Sequence, residues 1–188
     1  INVWDEKKRV MQSITANASN GLVTNYIAKF IKGGDGSLWV SSYQGGLLKM
    51  SKMESDIRNK TFTPVESEFG SEKAVSGGGS IWYSLYNELF RIDEKTLERS
   101  RIGSFNNLTN RRDVHCLHFS SDGMLLAGTQ NGLISYNPRT DSATFHPIVT
   151  GNEVNIGNFT EDGEGNIIGV ASNFIFRFNP DKAGADAS

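Results

Sequence analysis

An all-β chain built from repeated four-stranded antiparallel sheets is predicted by three observations. The first is an internal repeat: Gly36-Ser-Leu-Trp-Val40, Gly79-Ser-Ile-Trp-Tyr83, Gly123-Met-Leu-Leu-Ala127 and Gly165-Asn-Ile-Ile-Gly169 recur at intervals of 43, 44 and 42 residues. The second is the character of these runs. They are short, rich in Ile, Val, Phe, Trp and Tyr, and bounded by glycine turns, which fits strands better than helices. The third is the balance of breakers, 20 glycines against four prolines in 188 residues. Glycine at about 11% exceeds the usual ~7% and sits in small clusters between apolar runs, as expected of many turns.

Each unit is then read strand by strand. A first strand covers Ile27-Ala-Lys-Phe-Ile31, Lys73-Ala-Val75, Val114-His-Cys-Leu-His-Phe119 or Asn155-Ile-Gly-Asn-Phe159. It ends in a Gly/Asp/Ser turn: Gly33-Gly-Asp-Gly36, Ser76-Gly-Gly-Gly79, Ser120-Ser-Asp-Gly123 or Glu161-Asp-Gly-Glu-Gly165. Glycine accepts the positive φ of a tight hairpin there. The repeated apolar run is the second strand. The third is Leu47-Leu-Lys-Met50, Leu89-Phe-Arg-Ile92, Leu133-Ile-Ser-Tyr136 or Ile175-Phe-Arg-Phe178. A more polar fourth strand covers Val10–Ile14, Thr61–Val65, Arg99–Ile102 and Thr144–Ile148. Pro64 and Pro147 suit an outer edge, where a missing N–H costs no ladder bond. No segment reads as a convincing amphipathic helix. Four antiparallel strands per ~43 residues describe one blade of a β-propeller.

Composition excludes several function classes. With 19 basic and 21 acidic residues, a net charge of −2 and no Lys/Arg-rich run, the chain lacks the electrostatic footprint of a nucleic-acid binder. No apolar stretch is long enough to span a bilayer, so no membrane contact is expected of this segment. The single cysteine, Cys116, excludes an intramolecular disulfide framework and a multi-cysteine zinc site. Strict alternation would place His115 and His118 on opposite faces of a strand, so no metal site is expected. No cofactor is expected either: Gly77-Gly-Gly79 lacks the Lys-Ser/Thr and helix of a phosphate loop. Asp162-Gly-Glu-Gly165 is a hairpin turn like Asp35-Gly36 and Asp122-Gly123, without the alternating ligands of a calcium loop. Cys116 reads as a buried, inert thiol, and Trp39 and Trp82, at one position of two units, as packing between blades rather than sugar-stacking platforms.

Asn20-Gly-Leu-Val-Thr-Asn-Tyr-Ile-Ala-Lys-Phe30 followed by Asp35-Gly-Ser-Leu-Trp-Val-Ser-Ser-Tyr-Gln-Gly-Gly-Leu47 resembles the two-component regulator propeller repeat. The third unit, Asn107-Leu-Thr-Asn110 through Asp122–Asn137, is the second-best match. Unit two carries Glu88 where the repeat has a glycine, and unit four carries Ile168 at the tryptophan position. The resemblance implies the extracytoplasmic, periplasmic sensor region of a bacterial hybrid two-component system, detecting a polysaccharide breakdown product without catalysis. Two other readings are a protein-binding scaffold and part of an enzyme similar to the streptogramin lyases, for which the chain supplies no matching histidine pair. The family builds seven-bladed propellers of roughly 300 residues, so a fragment is expected. Its divisions are the end of a preceding blade and linker (1–25), blades at 26–65, 73–102 and 114–148, an incomplete blade (155–180) and a tail (181–188).

Two expectations concern contacts. Open blade faces should pair between chains as a homodimer or pack on remaining blades and neighbouring domains of the receptor; alternatively, Val10–Ile14 completes the last blade and closes a small ring. Ligands should meet the face carrying the loops from strand two to strand three and from strand four to the next strand one. The candidate ligand-binding residues there are Tyr43, Gln44, Tyr86, Asn87, Arg111, Arg112, Gln130, Asn131 and Asn173. Arginine forks and tyrosine rings suit a glycan or anionic ligand.

Overall fold

The computed structural model describes residues 1–17, 21–42, 45–50, 61–66, 73–109, 113–148, 153–172, 174–179 and 185–187. Four antiparallel sheets follow one another along the chain. The first blade is β3 (Ile27–Lys32), β4 (Leu38–Ser42), β5 (Gly46–Met50) and β6 (Phe62–Glu66), preceded by a two-stranded sheet of β1 (Asn2–Asp5) and β2 (Val10–Ser13). The second is β7 (Ala74–Gly77), β8 (Ser80–Leu85), β9 (Glu88–Asp93) and β10 (Arg99–Arg101). The third is β11 (Val114–Phe119), β12 (Leu125–Thr129), β13 (Gly132–Asn137) and β14 (Ser142–Pro147). The fourth is β15 (Ile156–Glu161), β16 (Ile167–Ala171), β17 (Phe174–Phe178) and β18 (Ala185–Ala187). Strand order within each blade is sequence order, as the repeat predicts.

The period-two alternation of the second strands places the core between blades rather than within one. Ile81, Leu125 and Ile167 turn to the preceding blade; their neighbours Trp39, Trp82 and Leu126 turn to the following one. Four separate clusters result. Val40, Leu48, Met50 and Phe62 meet Ile14 and Leu22, with Val3 packed beside them, at the boundary with β1 and β2. Trp39 and Ile31 meet Ile81, Tyr83 and Ile92 between the first and second blades. Trp82 and Leu89 meet Val114, Leu125 and Tyr136 between the second and third. Leu126 and Leu133 meet Ile156, Phe159 and Phe176 between the third and fourth. Each fully buried aliphatic or aromatic side chain of this kind contributes about 1.5–3 kcal/mol. The tryptophans are therefore packing residues, Trp39 fully buried and Trp82 donating its indole N–H to the Gly77 carbonyl at 3.0 Å.

The Asp-Gly turns form as expected. Asp35 Oδ1 accepts from the Ser37 N–H at 2.8 Å, and Asp162 Oδ1 from the N–H groups of Glu164 and Asn166 at 2.9 Å each. Gly36, Gly123 and Gly165 take φ of +81°, +92° and +78°, which a side chain would oppose. A contact not legible in the repeat ties the first two blades together on this side. The buried Glu94 carboxylate accepts from the Ser76 hydroxyl at 3.0 Å and from the Asp35 N–H at 3.4 Å, while the Lys49 ammonium donates to the Glu94 carbonyl at 2.5 Å.

Three expectations need correction. Residues 2–13 do not complete the last blade: β2 pairs with β1, and this hairpin covers the apolar face of the first blade. Ring closure through Val10–Ile14 therefore does not occur, because the fourth place beside β17 is filled by β18. For the same reason the 155–180 division stops short, and the expected tail contributes a strand. The chain also contains a helix, α1 (Gly103–Thr109), after the three-residue β10. Its buried Phe105 joins the core between the second and third blades, and Asn106 Oδ1 accepts the Leu89 N–H at 2.8 Å, finishing a strand edge that β10 is too short to cover. Seven residues are too few for a helical period to stand out in sequence.

Candidate ligand-binding face

One rim of the blades is formed by the turns from second to third strands and by the segments leading into the first strands. Tyr86 and Asn87 make the β8–β9 turn, Gln130 and Asn131 the β12–β13 turn. Tyr43, Gln44, Arg111, Arg112 and Asn173, expected on the same rim, lie outside the described residues. Tyr86 is 76% exposed and holds φ at +53°, a left-handed conformation that costs a bulky side chain on the order of 1 kcal/mol. Its carbonyl accepts the Val114 N–H at 3.1 Å, fixing the start of β11 against the preceding blade.

Asn131 performs the same task one blade on and uses its side chain to do so. Its N–H donates to the Val154 carbonyl at 2.6 Å, its carbonyl accepts the Ile148 N–H at 3.0 Å, and its Oδ1 accepts the Val154 N–H at 2.8 Å. Gln130 forms a β-bridge with Asn155 beside it. The geometry thus gives Gln130 and Asn131 a fastening role between blades, and leaves Tyr86 as the projecting aromatic group of the described candidates.

The innermost strands add residues that the loop-based reading missed. Lys29 of β3 lies opposite Ser41, Cys116 of β11 opposite Gly128, and Asn158 of β15 opposite Val170. The Ser84 N–H donates to the Lys73 carbonyl at 3.1 Å, which puts Lys73, just before β7, in the same register position. In β3, β11 and β15 a bulge precedes this position, so Ala28, His115 and Gly157 are the extra residues. Tyr26, one residue before β3, is 77% exposed on the same rim. Counting register positions across repeats is the sequence signal that would have found Lys29 and Lys73.

Electrostatics separate these groups. Burial pushes the Cys116 thiol up to about 11, opposed by a backbone hydrogen bond and by the charges of Lys29 and Lys73. The thiol therefore stays protonated at neutral pH and is not a nucleophile. Loss of hydration lowers the Lys29 ammonium, opposed by its proximity to Cys116. His118 is lowered by burial, opposed by Glu161, whose Oε2 lies 3.8 Å from Nε2. His146, lowered by burial, shares a 2.8 Å hydrogen bond with Ser135 on the outer strands. The bulge at His115 removes the strict alternation used to separate it from His118. Even so, among the described residues no three His, Cys, Asp or Glu side chains are grouped to hold a metal ion.

Four-stranded antiparallel sheets in succession, joined through inter-blade clusters and fastened at the turns, superpose on solved propeller structures over the whole chain. The fold is a β-propeller. The extracellular domain of the putative hybrid two-component system BT4673 from B. thetaiotaomicron is similar at a TM-score of 0.77 and 19% identity, covering 100% of this chain and 27% of that one. The corresponding domain of BT3049 gives 0.70 and 18%, covering 96% and 24%. A streptogramin B lyase gives 0.70 and 15%, covering 100% and 60%. This propeller thus spans about a quarter of the length of the two-component ectodomains, which are of the kind its repeat resembles. No protein-family model matches the sequence, and no curated protein matches it. Among the described residues no helix is long and apolar enough to cross a membrane.

Proposed function

We propose that this propeller is a non-catalytic ligand-recognition segment of an extracytoplasmic receptor of the hybrid two-component type, serving the regulation of polysaccharide use. The observation that carries the reading is the coincidence of two independent likenesses. The repeat around Asp35–Leu47 resembles the propeller of such receptors, and the fold is similar along the entire chain to the extracellular domains of BT4673 and BT3049. The rim of turns supports it, because exposed tyrosines flanking paired strands, such as Tyr26 and Tyr86, are suitable stacking groups for sugars. Sensing would work through contacts at the rim or at blade faces that shift packing between domains, since a blade fastened on both sides is a poor candidate for internal rearrangement.

Calorimetric titration of the chain with a panel of plant- and host-type oligosaccharides tests this reading. Saturable binding that is weakened by Tyr86→Ala is expected, and absence of binding across the panel would overturn it. A lyase reading draws on the similarity to streptogramin B lyase, yet His118 faces Glu161 and His146 bonds Ser135 in the outer strands, so these two histidines have separate surroundings. Metal-dependent turnover of a lyase substrate would favour that alternative.

A further inference from the structure

We infer that the junction between the third and fourth blades is an acid-sensitive seam, kept closed by two neutral imidazoles, His118 and His146, and loosened when they take up protons. The inference concerns the packing of blades and stands apart from any ligand.

Two of the chain's three histidines lie in this one junction. His118, on β11, meets Glu161 at the end of β15, and His146, on β14, sets its ring edge-on to Phe178 of β17 with 4.8 Å between centroids. One therefore sits at the inner strands and the other at the outer strands of an interface that also buries Leu126, Leu133, Ile156 and Phe176. The third, His115, is the extra residue of the β11 bulge.

At the inner end the carboxylate is already committed. Glu161 accepts from the Ser121 N–H at 2.9 Å and from the Ser121 hydroxyl, which fastens the β11–β12 turn to the fourth blade. His118 Nε2 stands 3.8 Å from Glu161 Oε2, buried and without a hydrogen-bond partner. An imidazolium N–H placed there is bonded only if the gap closes by roughly 1 Å, and that movement pulls Glu161 against its bonds to Ser121. At the outer end, the Ser135 hydroxyl lies 2.8 Å from His146 Nε2, and Phe178 is fully buried. A neutral ring can accept from that hydroxyl, whereas an imidazolium puts its charge beside an apolar ring, with no carboxylate paired to it among the described residues.

No other group offsets the added charge. Among the described charged groups only Glu161 acts on His118, and none acts on His146. Arg177 of β17 alternates with the buried Phe176 and Phe178, so it turns to the opposite face, where it meets Asp162 and Glu164. Cys116 of β11, its thiol pushed up to about 11 by burial, stays neutral. Loss of hydration accordingly lowers both imidazoles from the ordinary 6.5. A group lowered in the folded state contributes stability above its unfolded value and loses it as pH falls through the folded one, so the seam weakens below about pH 6.5. The junction between the first and second blades is fastened instead by Lys49, Asp35, Glu94 and Ser76, with no histidine among the described residues there.

Hydrogen exchange of the whole chain at about pH 7.5 and about pH 5, corrected for the intrinsic pH dependence of amide exchange, tests the proposal in wild type, His118→Gln/His146→Gln and His115→Gln. Protection of the β15 and β16 amides is expected to fall at least about tenfold on acidification in wild type and His115→Gln, and less than about threefold in the double glutamine variant. Protection of β4 and β8 should change little in all three. An equal fall in every blade, no fall in β15 and β16 of the wild type, a fall that persists in the double variant or one abolished by His115→Gln would overturn the seam. Imidazole C2–H NMR titration of the wild-type chain adds a check that needs no variant to fold. Two midpoints below about 6.5 are expected, and fewer than two would overturn the proposal.

Discussion

Asn131 Oδ1 accepts the Val154 N–H at 2.8 Å, and the Asn131 N–H donates back to the Val154 carbonyl at 2.6 Å. One residue in a hairpin turn of the third blade thereby fixes the point where the chain enters the fourth. Val154 is buried in the cluster between those blades, so its amide has no ready water to replace the lost partner.

Asn131→Ala should therefore destabilise the protein by about 1–3 kcal/mol, combining an unsatisfied buried donor with the loss of asparagine's tolerance of φ +60°. Asn131→Asp, which keeps the acceptor, should lose clearly less at neutral pH. Urea denaturation of the two variants checks the order; equal losses would show that the side-chain bond is not the source.

A second prediction concerns Gly77. A β-carbon there would fall on the Phe119 ring of the neighbouring blade, so Gly77→Ala should cost about 1–3 kcal/mol through overpacking. Combined with Phe119→Ala, much of that cost should vanish, because the obstructing ring is gone. Additive losses in the double-mutant cycle would place the strain elsewhere.

Acid stability provides a third test. Burial alone would raise the Asp35 carboxyl, but hydrogen bonds from the Ser37 hydroxyl and N–H, and then Lys49, bring it down to about 2 from the ordinary 3.8. A carboxyl with a depressed folded-state pKa stabilises above its unfolded value and ceases to do so as pH falls through the folded one. Its contribution should thus be full above about pH 4 and fade toward pH 2. Asp35→Asn should lower stability at pH 7 and flatten the acid limb over that window, measured by melting temperature against pH.

The last prediction concerns exposed apolar residues of the fourth blade and of the first hairpin. Val170 and Ile175 are 52% and 59% exposed, and Trp4 and Met11, paired across β1 and β2, are 53% and 60% exposed on the first hairpin. Apolar groups of this size grouped on sheet faces favour association. Light scattering should show a dimer that grows with concentration and recedes in Val170→Ser/Ile175→Ser. A monomer at all concentrations would count against it.

The strands were legible because the repeat makes each unit a witness for the others. Trp39 and Trp82 mark the same place, and Leu126 is recognised there only by counting from Gly123. The tightness of Asp35, Asp122 and Asp162 turns was equally plain, since Asp-Gly carries its own turn chemistry. What escaped was whatever differs from blade to blade. Residues 103–109 fill a gap left by one short outer strand, and nothing in a 43-residue template anticipates that. Residues 185–187 pair with β17 despite a composition of Ala and Asp that signals no strand. The candidate site was half legible: Tyr86 stands out as an exposed turn aromatic, whereas Asn131 resembled a ligand group because its partner Val154 is 23 residues away. Lys29 and Lys73 share a register position that only counting across the repeats reveals.

The four inter-blade clusters have a consequence for how such a chain can change over time. Among the described residues each core cluster joins one sheet to the next, through alternating residues such as Ile81 and Trp82 that look in opposite directions. A copied or deleted unit therefore needs to suit two junctions and no others. Lengthening by duplication is open to such an architecture, and a substitution at one junction leaves distant ones free to drift, which accounts for tryptophan, leucine and isoleucine sharing one place at positions 39, 82, 126 and 168.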